Sequence, residues 1–155
     1  MKPRSLRRFV NWWPPFLFSG IRLLELADDW RYARVRLKLG RFNRNYVGTH
    51  FGGSLFSMTD PFWMILIMEC LGRDYVVWDK AGEISFVQPG RADVFAEFRV
   101  EETVLDELRA ATASGEKHLR WFATDVKTAK GEIVAQVRKQ LYIRRKAPPA
   151  PEKNA

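Results

Sequence analysis

The residues best suited to chemistry lie between Asn45 and Phe62, N-Y-V-G-T-H-F-G-G-S-L-F-S-M-T-D-P-F, where a glycine pair opens an apolar segment with one carboxylate. A carboxyl group in apolar surroundings has a raised pKa unless it is paired or wetted, and enzymes tune acids and bases in this way. Asp60 therefore suits a general base or a nucleophile. Gly52 and Gly53 let a ligand approach the backbone, and free N–H groups from Gly52 to Ser54 at a helix start suit a carbonyl oxygen or an anion. A structural role competes for Asp60, because Asp-Pro commonly starts a helix, with Asp60 as N-cap and Pro61 at the first helical position. Asn45 suits either a substrate hydrogen bond or the turn before the helix. His50 could orient a ligand or water, and Ser57, three residues before Asp60, shares its helical face.

The surrounding elements have to hold these groups in place. From Leu55 to Leu71 nearly every residue is apolar, the exceptions being Ser57, Thr59, Asp60 and Glu69. A helix apolar on all sides must be surrounded. The interruptions at Asp60, Pro61 and Glu69 argue against a membrane span of about 20 apolar residues, so the segment reads as a buried helix inside a curled sheet. Alternation from Tyr32 to Leu39 and from Asp93 to Glu101 predicts two half-buried strands. Leu119–Val126 and Ile133–Ile143 read as two more, joined by a turn at Ala129–Gly131. Tyr75–Trp78 and Glu83–Val87 read as one strand interrupted near Ala81 and Gly82, for a total of about five. Thr103, with Asp106 and Glu107 after it, is placed to cap a short helix ending near Ser114 and Gly115. The order favours an α+β domain with one antiparallel sheet wrapped around a long buried helix.

With these motifs the chain resembles the hotdog-fold thioesterases, in particular the phenylacetate-pathway type, and within them a branch of poorly defined function. Asn45, Gly48, Thr49, Gly52, Gly53, Phe56, Ser57 and Asp60 match the family's Asn, Gly-Thr, Gly-Gly, Phe-Ser and helix Asp. One position departs: Phe51 stands where the family has a histidine, and His50 lies one residue upstream. A-G-E-I-S-F-V-Q-P-G from Ala81 and K-G-E-I-V-A near Lys130 resemble the strand after the central helix and the final hairpin, so the likeness spans roughly residues 30 to 146. The resemblance implies an acyl-CoA thioesterase with catalytic Asp60, Gly53 and Asn45, and with substrate binding at His50, Phe51, Gly52, Ser54 and Ser57. It also implies a site between two protomers, hence a homodimer or a dimer of dimers. A hotdog module that binds acyl-CoA or a fatty acyl group without hydrolysing it is the other reading.

The 155 residues, 46% hydrophobic, suit one domain. The expected division is a basic amphipathic segment at 1–20, a hotdog domain at 21–146 and a disordered Pro- and Ala-biased tail at 147–155. The lone Cys70 allows no disulfide within the chain and suits packing better than nucleophilic work. No metal or cofactor is expected, since no metal-ligand cluster or phosphate loop is visible. The net charge of +8 lies in the first third, with 11 Lys and Arg against 3 acids in residues 1–44. Such a surface attracts coenzyme A phosphates or serves as a solvated face; nucleic acid is not expected, because no recognition pattern accompanies the charge. The N-terminus lacks the long apolar run of a signal peptide, and a cytoplasmic protein is expected. Leu6, Phe9, Val10 and Trp13 fall at helical spacing beside Arg4, Arg7 and Arg8, with Pro14 and Pro15 ending the helix. Residues 1–20 therefore suit either a cover for the open face of the chain's own sheet or a dimer neighbour's, or a peripheral membrane contact.

Overall fold

The computed structural model describes residues 1–147; residues 148–155, nearly all of the expected tail, lie outside the described residues. Two short helices come first, α1 (Pro3–Trp12) and α2 (Pro14–Ser19). Pro14 both ends α1 and opens α2, because a proline lacks the N–H that a continuing helix needs yet is pre-shaped for a first helical position. Strands β1 (Ile21–Leu26) and β2 (Tyr32–Leu37) follow, then α3 (Gly52–Ser57), α4 (Phe62–Leu71), β3 (Tyr75–Phe86), β4 (Val94–Arg99), α5 (Glu102–Ala111), β5 (His118–Thr128) and β6 (Ile133–Arg145). The strands form one six-stranded sheet in the order β1-β2-β4-β5-β6-β3, and every ladder is antiparallel.

The sheet has one strand more than the sequence reading supplies. Ile21–Leu26 escapes it because Leu23 and Leu24 are adjacent, which breaks the two-residue period. The break is real: the register with β2 shifts between Leu23 and Glu25, so Leu24 is the extra residue of a β-bulge. The same device accounts for the interruption expected near Ala81. β3 runs unbroken, with a register shift between Asp79 and Ala81 that leaves Lys80 unmatched. At α5 the N-cap is Glu101, without a side-chain cap bond, and Thr103 lies inside the helix rather than capping it.

The central helix is also divided. α3 ends at Ser57 and α4 begins at Phe62. Pro61 offers no N–H, and the preceding turn tightens, with the N–H groups of Thr59 and Asp60 bonding the carbonyls of Phe56 and Ser57 three residues back. Both pieces lie against the inner face of the sheet. Leu55, Met58, Phe62, Trp63, Leu66 and Ile67 are buried there with the inward rows Ala33, Val35, Leu37 of β2 and Val94, Ala96, Phe98 of β4. Trp63 stacks on Phe122 at 4.8 Å and donates its Nε1–H to Thr124 Oγ1 at 2.7 Å, so the aromatic stripe after Asp60 is core. A sheet wrapped around one long helical segment, Gly52–Leu71, is the α+β hotdog fold.

The two edge strands are treated differently. At β1 the side chain of Asn11 from α1 accepts from the Leu23 N–H at 2.8 Å and donates to the Leu23 carbonyl at 3.1 Å. Arg7 and Arg22 add bonds to the carbonyls of Leu24 and Asn11. α1 thus covers this edge, while Val10 and Phe16 join the core cluster. Among the described residues β3 has no such cover, and Phe86 and the next residue, Val87, are 59% and 56% exposed. An open edge of this length is a template for another strand.

Candidate active site

Asp60 stands at the break between α3 and α4, and it does not cap α4. Pro61 is the N-cap residue there, and no side chain bonds the free N–H groups. The carboxylate turns instead to the sheet, where Oδ1 accepts a hydrogen bond from Lys139 Nζ. Lys139 belongs to β6, opposite Gly82 of β3, and is only 5% exposed. Its ammonium also lies 3.6 Å from Oδ1 of Asp79, an ion pair longer than a hydrogen bond, and 4.9 Å from the centre of the Phe56 ring. A cation is therefore clamped between two carboxylates beneath an aromatic face. A lysine can be taken from water at tolerable cost only when its charge is matched in this way.

The two carboxylates differ. Burial pushes the Asp79 carboxyl up from its ordinary value; the Lys139 charge opposes that, and the Asp60 charge adds to it. Asp60 keeps 49% of its side chain exposed, and its Oδ2 has no hydrogen-bond partner among the described residues. Asp60 thus presents one fixed oxygen to the protein and one free oxygen to solvent. Gly82 makes room for this arrangement: a Cβ there would stand 2.6 Å from Phe56 Cζ and 3.2 Å from Lys139 Cδ.

At the start of α3 the N–H of Ser54 bonds the Phe51 carbonyl at 3.0 Å, and Ser54 is buried. Gly52 and Gly53 occupy the first two helical positions, whose N–H groups have no partner within a helix. The glycine pair lies between two half-exposed rings, since a Cβ would fall 2.8 Å from Phe86 Cζ at Gly52 and 2.4 Å from Phe51 Cε1 at Gly53. Any side chain on the pair would displace an aromatic.

Asn45 is held by its own loop. Oδ1 accepts from the N–H groups of Val47 and Thr49, and Nδ2 donates to Thr49 Oγ1 and the His50 carbonyl. These bonds hold the turn before the helix. Ser57 is exposed, and its carbonyl accepts the Asp60 N–H at 3.2 Å. Cys70 lies half-buried with its Sγ 3.5 Å from the Trp30 carbonyl, and burial pushes its thiol up, away from the reactive thiolate. Among the described residues no three His, Cys, Asp or Glu side chains gather as a metal site.

His50 points inward, 3% exposed. Its Nε2 lies 2.9 Å from the Ala92 carbonyl, so that nitrogen bears the proton, and Nδ1 is buried with no partner among the described residues. Burial lowers its pKa below 6.5, against weaker contrary effects of the Ala92 bond and Asp93. The unfolded chain therefore binds the extra proton more readily. The neutral ring favours folding above pH 6.5, and that contribution is lost as pH falls through the folded-state value. Between about pH 7.5 and about pH 5 the melting temperature of the wild type is expected to fall more than that of His50→Gln, as read by circular dichroism. Parallel melting curves at both pH values would show that His50 titrates normally.

A family model described as "Domain of unknown function (DUF4442)" matches residues 4–143. No curated protein matches the chain. Among solved structures it is similar to a protein of unknown function from Pseudomonas aeruginosa, described as a "probable thioesterase", at 21% identity and TM-score 0.81, covering 92% of this chain and 96% of that one. A thioesterase from Haemophilus influenzae is similar at 11% identity and TM-score 0.68, over 96% of this chain and 94% of that one. A protein of unknown function from Chlorobaculum tepidum is similar at 15% identity and TM-score 0.72, over 93% and 97%.

Proposed function

The chain belongs to the DUF4442 family, and from that premise and the surroundings of Asp60 we propose that it is an acyl-CoA thioesterase acting in the cytoplasm without a cofactor. The observation that carries this reading is the carboxylate at the helix break, fixed through Oδ1 by buried Lys139 and open to solvent at Oδ2. Solved neighbours named as thioesterases support the same reaction class. Oδ2 of Asp60 takes a proton from water as the water oxygen attacks the thioester carbonyl carbon. The carbonyl π electrons move to oxygen, where the N–H groups of Gly52 and Gly53 receive the developing charge. The intermediate collapses by breaking the carbon–sulfur bond, and the thiolate leaves with the proton held by Asp60. Direct attack by Asp60 would instead give an acyl anhydride, which water then opens.

One chain does not bring donors and base to the same carbonyl. Gly53 and Asp60 are seven positions apart on one helical segment, a rise on the order of 10 Å, whereas both must come within about 3 Å of the reacting atoms. A second copy paired along the open β3 edge would set the helix start of one chain against the carboxylate of the other. A homodimer is therefore part of the proposal. The stacked Trp78 and Tyr142, 4.0 Å apart on the outer face of the sheet, offer the place where dimers would pair again. Light scattering is expected to give a dimer mass or its double for the wild type. Phe86→Arg, which sets a charge on the edge beside Gly52, should reduce the mass to that of one chain and remove turnover with it. A wild-type monomer that still turns over would refute the composite site.

The direct test is thiol release from short, long and aromatic acyl-CoAs by the purified protein. Turnover of any of them supports the reading. Saturable binding with no thiol release would replace it with a non-catalytic acyl-CoA or fatty-acyl binding module.

A further inference from the structure

One side of α1 serves the fold, and the other packs against no other element among the described residues. Leu6 and Val10 pack toward the core and Asn11 is bonded to β1, which fixes the orientation of the helix. Away from that seam stand Trp12 at 75% exposure, Phe9 at 59% and Trp13 at 40%, joined by Phe18 of α2 at 70%. Phe9, Trp12 and Trp13 line one shallow groove together with Arg8, and exposed aromatics gathered in this way mark an interaction surface.

The charge around the patch has one sign. Lys2, Arg4, Arg7, Arg8 and Arg22 all precede the first acid of the chain, Glu25. Arg7 and Arg22 are committed to backbone carbonyls. Lys2, Arg4 and Arg8 are exposed and form no ion pair with a carboxylate among the described residues. A second copy fits this surface poorly, since a two-fold contact would bring two such sets of unpaired cations together.

We propose that residues 1–18 form a platform that docks the protein on an anionic lipid bilayer, with Phe9, Trp12 and Phe18 at the boundary of headgroups and acyl chains. Lys2, Arg4 and Arg8 then lie among the lipid phosphates. Tryptophan suits that depth because its ring is apolar and its N–H can still reach polar headgroups. The platform is formed before it binds, so docking orders little chain. The docking does not depend on Asp60 and stands or falls apart from the catalytic reading.

The test is cosedimentation of the full-length protein with vesicles of phosphatidylcholine alone or mixed with phosphatidylglycerol, at low and high salt. The wild type is expected to partition onto the anionic vesicles, less so as salt rises. Trp12→Ser/Phe18→Ser should partition at least about tenfold more weakly, since burying one large aromatic is enough for such a factor. Arg4→Glu/Arg8→Glu should lose its preference for the anionic vesicles. These side chains are exposed, and unaltered circular dichroism would confirm that both variants fold. Equal partition of the wild type and Trp12→Ser/Phe18→Ser would overturn the proposal, as would failure of the wild type to bind anionic vesicles. Self-association without lipid that Trp12→Ser/Phe18→Ser abolishes would assign the patch to a second copy instead.

Discussion

Asp60→Asn is expected to lower thiol release from the best acyl-CoA substrate at least about a hundredfold, near the lower end for loss of a general base. The substitution removes the basic oxygen and the charge that faces Lys139, and it keeps the shape of the side chain. Asparagine has the same size, its carbonyl oxygen can still accept from Lys139, and the residue it replaces is not a helix cap. Melting temperature should fall modestly, because Lys139 keeps only Asp79 as an ionic partner, and an unaltered circular dichroism spectrum at the assay temperature separates this outcome from unfolding. The loss should appear in kcat more than in KM, because the proton is taken only as the reaction proceeds. Multiple turnovers in heavy-oxygen water would then detect an anhydride opened at the enzyme's carboxyl, which leaves label in the Asp60 carboxylate. One opened at the acyl carbonyl labels the product acid alone, just as direct attack by water does. Turnover retained in Asp60→Asn would leave Asp60 only the task of matching the charge of Lys139.

The sequence made the glycine pair and Asp60 legible because they are neighbours along one segment and their chemistry needs no distant residue to be recognised. Four of the expected strands were legible through alternation at Tyr32–Leu39, 93–101, Leu119–Val126 and Ile133–Ile143. β1 was not, since its bulge at Leu24 destroys that pattern. Lys139 and Asp79 were missed for a different reason. They are far from Asp60 in the chain and meet it only when β6 and β3 pair. A signal existed nonetheless. Val137, Leu141 and Ile143 point inward from β6, and the two-residue period puts Lys139 in that row. Val77 and Asp79 share the corresponding row of β3. A lysine and an aspartate on inward rows must find each other or another partner, because neither charge is tolerated alone. His50 shows the opposite limit. Its loop position leaves the direction of the ring open, and the bond to Ala92, 42 residues away, draws it under the loop and away from solvent.

Lys139→Met is expected to destabilise the fold by about 2 kcal/mol, below the value for breaking a fully buried pair because Asp60 is half exposed and Asp79 partly so. For a chain of this size that lowers the melting temperature by roughly 4–8 °C. Methionine keeps an unbranched stem beneath Phe56 and beside Gly82, so the loss reports the missing charge rather than a cavity. Its pH dependence identifies the residue left unmatched. The folded-state pKa of Asp79 lies above 3.8 even with Lys139 present, so the folded protein holds that proton more tightly than the unfolded chain does. The corresponding contribution to stability is complete below pH 3.8 and is lost as pH rises through the folded value. Removing Lys139 takes away the charge that opposes this rise, which moves the upper end of the window to higher pH. Lys139→Met should therefore match the wild type most nearly in acid and fall behind it as Asp79 ionises. Lys139→Met/Asp79→Asn should recover most of the loss at neutral pH, since the more deeply buried of the two carboxylates is then neutral and Asp60 keeps half of its side chain in solvent. A deficit independent of pH, or one that Asp79→Asn does not relieve, would mean that Lys139 serves as packing and that the clamp between the two carboxylates has no energetic role.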